Sequence, residues 1–221
     1  MKAHRLGRRS SVLVTLVVVL LAPLAANAEA PIQKHLNPFF EYVRGGSCSV
    51  TLPGVGMITS TTPPSTVLFN RNPEDAITCA PLLAPDGHQL TLGEFVAVNG
   101  SAKVNCVNQG THSVLHISGL VPNGVYTVWL LIFGDGVNVT DAGALGSTNP
   151  IENYFTASAS GEGQLSVTTP QENLSAMGSV GTCWLDSKVE LWLVYHSDNQ
   201  THGPEPGPPA TWVTHARFLF P

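Results

Sequence analysis

The sequence predicts an all-β chain folded as an antiparallel Greek-key β-sandwich, preceded by a Pro-rich, loop-dominated N-terminal segment. Three observations carry that expectation. From His88 onward, apolar residues recur at every second position, the period of a half-buried strand. Turn-forming clusters rich in Gly and Asn separate these runs. From His88 onward, only Gln171–Met177, which follows Pro170, reads as a short helix. Sheets built from such strands each carry one apolar face that must be covered, and two facing sheets cover each other.

Taken in order, the inward positions are Leu90 and Leu92, Phe95 and Ala97, Val104 and Cys106, Leu115 and Ile117. Leu165 and Val167, then Val189, Leu191 and Leu193, and finally Trp212, Ala216, Phe218 and Phe220 continue the pattern. Asn99-Gly100, Asn108-Gln109-Gly110, Pro122-Asn123-Gly124 and Ser160-Gly161-Glu162-Gly163 supply the turns. Tyr126–Phe133 is apolar on both faces, which predicts an interior strand with something lying over its outer side. Residues 29–87 differ. Eight prolines from Pro31 to Pro85 break nearly every apolar stretch and exclude long helices and central strands there. Ser47–Leu52 and Ser65–Phe69 are the strand candidates in that segment, and Phe39–Val43 suits a helical turn after Asn37-Pro38. The domain reading is therefore a leader over 1–28, a Pro-rich segment over 29–87 packed on the sandwich, and the sandwich over 88–221.

The leader reads as a secretory signal. Lys2, Arg5, Arg8 and Arg9 precede the apolar run Val12–Leu21 and the small residues Ala26-Asn27-Ala28, the pattern cleaved by a signal peptidase. That run is shorter than the ~20 residues needed to span a bilayer, so no membrane span is expected after cleavage. Ser10-Ser11-Val12 after Arg8-Arg9 matches a twin-arginine signal only loosely, which favours general secretion into a bacterial periplasm or beyond. The portion left after Ala28 holds six Lys and Arg against fifteen Asp and Glu, a formal charge of −9. Those six cations are scattered, which excludes nucleic acid as a partner. The partner expected is an extracellular ligand or surface.

Cys48, Cys79, Cys106 and Cys183 make an even set entering an oxidising compartment, which reads as two disulfides. Three pairings are possible. Cys48 with Cys79 and Cys106 with Cys183 is preferred, because the first closes the Pro-rich segment and the second ties two core-facing strands. No C-x-x-C occurs, so a cysteine zinc site is not indicated.

The stretch Leu120-Val121-Pro122-Asn123-Gly124-Val125-Tyr126 resembles the tyrosine corner of fibronectin type III and immunoglobulin-like domains. The resemblance implies a structural role for Tyr126 and Pro122, with the phenol bonded to backbone across a Greek-key connection. The sandwich is accordingly expected to be immunoglobulin-like or cupredoxin-like. The wider run Gly119–Trp129, with Thr201-His202-Gly203-Pro204 and His215-Ala216-Arg217-Phe218, looks like a group of secreted bacterial β-sandwich proteins of unknown function. It implies fold and compartment and no activity.

Signatures of chemistry are sparse. The chain holds no G-x-S-x-G, no H-E-x-x-H and no Gly-rich phosphate loop with its lysine. A blue-copper site needs Cys, His and Met close together in one loop, but no Met lies beyond Met177. His112 and His116, four apart on a strand, stand ~13 Å apart and cannot share one zinc. Asp135, Asn138 and Asp141 are oxygen ligands whose spacing matches no full calcium motif. The loop His196–His202 holds two imidazoles and Asp198 within seven residues, and His215 on the next strand is a fourth ligand, so this is the candidate site for zinc or copper. Trp129 and Trp192 fall on the parity opposite the core and are candidates for an aromatic platform on which a sugar ring stacks; the plainer alternative is a second small core under the Pro-rich segment.

The functional expectation is a secreted, disulfide-stapled protein acting without catalysis and without an obligatory cofactor, in a binding or structural role. The alternatives are a metal-binding sandwich using the His196–His202 loop and a hydrolase whose site is assembled from loops.

Overall fold

The computed structural model describes residues 32–39, 42–49, 55–71, 79–133, 139, 141–170 and 188–220. The leader, the helix expected at 171–177, Cys183, Asp135 and Asn138 lie outside the described residues. The strands are β1 (Ile32–Pro38), β2 (Val43–Gly45), β3 (Leu68–Asn70), β4 (Ala80–Pro81), β5 (Asn99–Val107) and β6 (Gly110–Ser118). They continue as β7 (Val125–Phe133), β8 (Asp141–Ala144), β9 (Tyr154–Thr156), β10 (Gly163–Pro170), β11 (Lys188–His196) and β12 (Trp212–Phe220). One helix, α1 (Leu92–Val96), and a 3-10 turn at Pro209–Thr211 complete the set among the described residues. None of these helices is long and apolar enough to cross a membrane.

The chain is all-β, and its strand pairs are antiparallel. Nine strands form one sheet in the order β10-β6-β5-β1-β12-β11-β7-β8, with β9 also on β7, while β2, β3 and β4 form a small second sheet. The large sheet curls so that its two halves share a core. Ala102, Val104, Leu115, Ile117, Leu165 and Val167 from the β5–β6–β10 half meet Val128, Leu130, Ile132, Leu191, Leu193 and Phe218 from the β7–β11–β12 half. Alternation sets this: every second residue of each strand points to the same side.

β1 joins the halves. Ile32–His35 pair with β5 and Leu36–Pro38 pair with β12. This central strand arises inside the 29–87 segment, which the sequence reading places outside the sandwich and in which it excludes central strands. Pro38 is the last residue of the strand and no proline lies within Ile32–Asn37, so the ladder is not interrupted. The helical turn expected over 39–43 is replaced at its ends: the Phe39 N–H donates to His215 O, and Val43 opens β2. Ser65–Phe69 overlaps β3, whereas Ser47–Ser49 is not a strand and 50–52 lies outside the described residues.

A second correction concerns Leu92–Ala97, read above with a period of two. Leu92–Val96 is helical, with Ala97 exposed at its C-cap, because Thr91 and Glu94 form a capping box, each side chain bonding the other's backbone N–H, and Leu92 and Phe95 bury one face three residues apart. A third concerns β12. The register runs Leu193↔Ala216 and then Val194↔Thr214, so His215 is an extra residue in a bulge. Counting back from Ala216 in twos points Trp212 inward and His215 outward. The bulge reverses both: Tyr195 pairs with inward Val213, His215 is fully buried, and Trp212 joins the outer face.

Candidate functional site

The β7–β11–β12 half carries aromatic side chains on its outer face. Trp129 on β7 stands opposite Trp192 on β11, and His196 stands opposite Trp212 on β12. Tyr42 packs edge-on against Trp212 and Trp192, at ring-centroid distances of 5.5 and 6.3 Å. Phe39 lies 5.2 Å from Trp192, and the Arg217 guanidinium sits 4.5 Å above the Phe39 ring. The Pro-rich segment thus covers part of this face, as the second-core alternative anticipates. The cover is incomplete. Tyr42, Trp129, Leu131, Trp192, Pro206 and Trp212 line a cavity of about 140 Å³ that opens to solvent.

The indoles around this cavity are held by their own N–H groups. Trp129 Nε1–H donates to Thr127 Oγ1 at 2.8 Å, Trp192 Nε1–H to Glu190 Oε2 at 2.7 Å, and Trp212 Nε1–H to the Gly207 carbonyl at 3.2 Å. Glu190 is itself buried and paired with Arg217 at 3.1 Å. What the cavity offers a ligand is ring faces and alkyl groups.

The second cluster sits at the end of β11. His196, Asp198 and His202 each present one ligand atom, and these atoms all lie within 4.8 Å of one another. His202 Nε2 and Asp198 Oδ2 are 2.7 Å apart, and the two imidazole centroids are 5.9 Å apart. His196 is fully buried; its Nε2 shares a 2.7 Å hydrogen bond with Thr127 Oγ1, while its Nδ1 has no partner. Burial pushes the His196 imidazole down to about 4, partly offset by the nearby Asp198 carboxylate. The loop is shaped for this. Asn199 and His202 take left-handed backbone at φ 59° and 53°, and a Cβ on Gly207 would collide with the His202 ring. Thr127 Oγ1 accepts from Trp129 and bonds His196, so one hydroxyl ties the cluster to the aromatic cavity.

His215 does not join that cluster, which corrects its placement among the metal ligands. The β12 bulge turns it into the core, where it stacks 3.9 Å from Phe95. Its Nε2–H donates to Phe95 O at 2.6 Å, and its Nδ1 accepts from Tyr126 O–H at 3.1 Å, so both ring nitrogens are satisfied and the neutral tautomer is fixed. Burial lowers its pKa to about 4. Tyr126 Oη also accepts the Val121 N–H at 2.9 Å, bonding the corner back to backbone beside the exposed turn residues Pro122 and Asn123.

Cys48 and Cys79 form a disulfide with Cα atoms 6.1 Å apart. Cys106 is also disulfide-bonded. His112 and His116 lie on the outer side of β6, with His112 Nδ1 3.1 Å from Thr168 Oγ1. Asp86, His88 and Glu94 form an exposed chain that sequence reasoning missed: His88 Nδ1 meets Asp86 at 2.5 Å and its Nε2 meets Glu94 at 3.0 Å, on opposite sides of the ring. Those hydrogen bonds, Asp86 first, raise the His88 pKa. The contributions of Tyr42 and Trp212 to the cavity were also missed. The cluster of three aromatics in Phe39, Phe40 and Tyr42 next to prolines was the available signal. No protein family, curated protein or solved structure matches this chain.

Proposed function

We propose that this chain is an exported, non-catalytic Greek-key β-sandwich that binds one ring of an extracellular ligand, a sugar residue, in the cavity between Trp129, Trp192 and Trp212. The observation that carries the reading is the immobilisation of all three indoles through their own N–H groups around a single open cavity. A ring held rigidly before binding loses little freedom on binding, which favours stacking. Its volume of about 140 Å³ is below that of sites enclosing drug-sized ligands, and so suits a single ring of a longer chain. The lining of tryptophan, leucine, alanine, valine, proline and one tyrosine holds no carboxylate or imidazole positioned as an acid–base pair, which supports binding over turnover. Export is supported by the Cys48–Cys79 disulfide, which persists in oxidising compartments. The sandwich topology is supported by the curl of the large sheet and the shared strand β1.

A titration of the full chain with soluble oligosaccharides, followed by tryptophan fluorescence, tests this. Binding that weakens on the order of tenfold in Trp129→Ala supports it, a loss of the size found when an aromatic side chain on which a nucleobase stacks is truncated, about 1–3 kcal/mol. A folded Trp129→Ala protein with unchanged sugar affinity rules the cavity out.

A further inference from the structure

We propose that His196, Asp198 and His202 form a mononuclear site for a divalent first-row transition ion of the zinc and copper class, with a coordination position left open to solvent. The proposal does not need a sugar ligand, although Thr127 joins the two sites.

The donor set comes first. Two imidazoles and one carboxylate are nitrogen and oxygen ligands of intermediate hardness, suited to zinc and copper and poorly suited to calcium or magnesium, which require oxygen ligands in larger number. The three donor atoms lie within 4.8 Å of one another. Ligands ~2.0–2.2 Å from one ion stand roughly 3.3 Å apart in a tetrahedron, so closure needs side-chain rotations and no change of fold.

His196 supplies the independent sign. Its side chain is fully buried, and one ring nitrogen, Nδ1, has no hydrogen-bond partner. Buried polar atoms are nearly always satisfied, and an unsatisfied one calls for an explanation, an absent ion being one. The other nitrogen explains how the ring would be held. Nε2 is 2.7 Å from Thr127 Oγ1, and with Nε2–H donated there the Nδ1 lone pair is bare, which is the tautomer a ligating histidine adopts. Thr127 is in turn fixed by Trp129 Nε1–H, so a rigid strand residue sets the orientation of the ring.

The remaining two ligands are near and adjustable. Asp198 and His202 retain about a fifth of their side-chain exposure, which gives an ion a route in and leaves space for water as a fourth ligand. They already face one another at 2.7 Å; when both atoms turn to the ion, the Nε2 proton passes to solvent water and His202 ligates as the Nδ1–H tautomer, its neutral charge kept by a proton taken from water at Nδ1. Gly207 presses its backbone against the His202 ring, and Pro204, Pro206, Pro208 and Pro209 stiffen the loop behind it. His215 takes no part, because both of its nitrogens are bonded in the core.

The full chain, stripped with chelator and dialysed, is titrated with Zn²⁺ alone and with Cu²⁺ alone against a chromophoric competitor. One ion per chain is expected, with the affinity falling on the order of tenfold or more in both Asp198→Asn and His202→Gln, since even outer-shell changes at metal sites cost 10–100-fold. His116→Gln, on the far half of the sheet, leaves it unchanged. Cobalt substitution adds a readout that folding alone does not move: tetrahedral d–d absorption present in the wild type and absent in His202→Gln. Equal uptake by the wild type and both loop variants, or no ion retained at micromolar concentration, overturns the proposal. Unchanged circular dichroism of the metal-free variants excludes misfolding as the cause of lost binding.

Discussion

The two halves of the large sheet share one core but present opposite outer surfaces. On the β5–β6–β10 half the outward positions include Lys103, His112, His116, Gln164 and Ser166, so that face is mostly polar, while the inward side adds buried Thr111, Ser113 and Thr169 to its apolar residues. On the β7–β11–β12 half the same outward parity carries Trp129, Leu131, Trp192, Val194 and Trp212. The first face is finished by water. The second requires something on top, and the Pro-rich segment supplies Phe39 and Tyr42 for only part of it. Two buried histidines with lowered pKa, the free Nδ1 and the open cavity all belong to this second half. A shared core makes one folding unit, and the asymmetry of its outer surfaces concentrates the chemistry on one side.

Substitutions on the two faces should separate them most sharply. Trp212→Ala removes a nearly buried indole packed on Tyr42 and is expected to cost about 3–4 kcal/mol, whereas His116→Ala on the polar face should fall within about 0.5 kcal/mol. Urea unfolding followed by circular dichroism measures both. Similar costs at the two positions would erase the distinction between the faces.

Acid should act through the aromatic half next. The folded His215 pKa, about 4, lies below the unfolded value of 6.5, so the folded state resists protonation that the unfolded chain accepts. The stability associated with neutral His215 is whole above pH 6.5 and declines as the pH falls toward 4, by roughly 3 kcal/mol across that window. His196 adds to the slope in the same direction. Comparing urea midpoints of the wild type and His215→Gln between pH 7 and 4 checks this, and parallel curves would count against it.

The smallest effect is expected at His88, on the surface. Asp86 and Glu94 hold its charged form, so its ring protons should titrate above the ordinary histidine value in an NMR titration, and Asp86→Asn should bring the midpoint down. Replacing His88 by Gln should change stability by no more than about 0.5 kcal/mol, since exposed ion pairs contribute little.

Much of the large sheet was legible because its strands obey a simple rule. β10 and most of β6 alternate inward and outward, β7 announces itself by being apolar on both faces, and the two-residue link Asn108-Gln109 fixes the β5–β6 register at Val107↔Gly110. What was not legible depends on partners far along the chain. Nothing local tells β1 that β12 will accept its second half. The bulge at His215 moves one residue across a sheet plane, and parity counting has no means to anticipate an unpaired position. The α1 helix was legible in principle: Thr91 and Glu94 at capping-box spacing outweigh two apolar residues that happen to alternate. In the candidate metal site, His196, Asp198 and His202 were found because a loop gathers sequence neighbours. The aromatic cavity was half found, since Trp129 and Trp192 show their parity, while Tyr42 and Trp212 reach it through the small sheet and the bulge.

The strand shared by both halves also constrains how this chain can be made. β1 needs β12 as a neighbour, and nearly the whole polypeptide lies between them. A chain that emerges from a narrow passage with its N-terminal end leading holds one seam unzipped until its last strand arrives. Closure then joins the earliest and latest described strands in a single late step, the slow non-local kind. Any truncation that removes β12 would strand Leu36–Pro38 without a partner and leave the opposite edge of β11 bare, an adhesive border of the sort that invites aggregation.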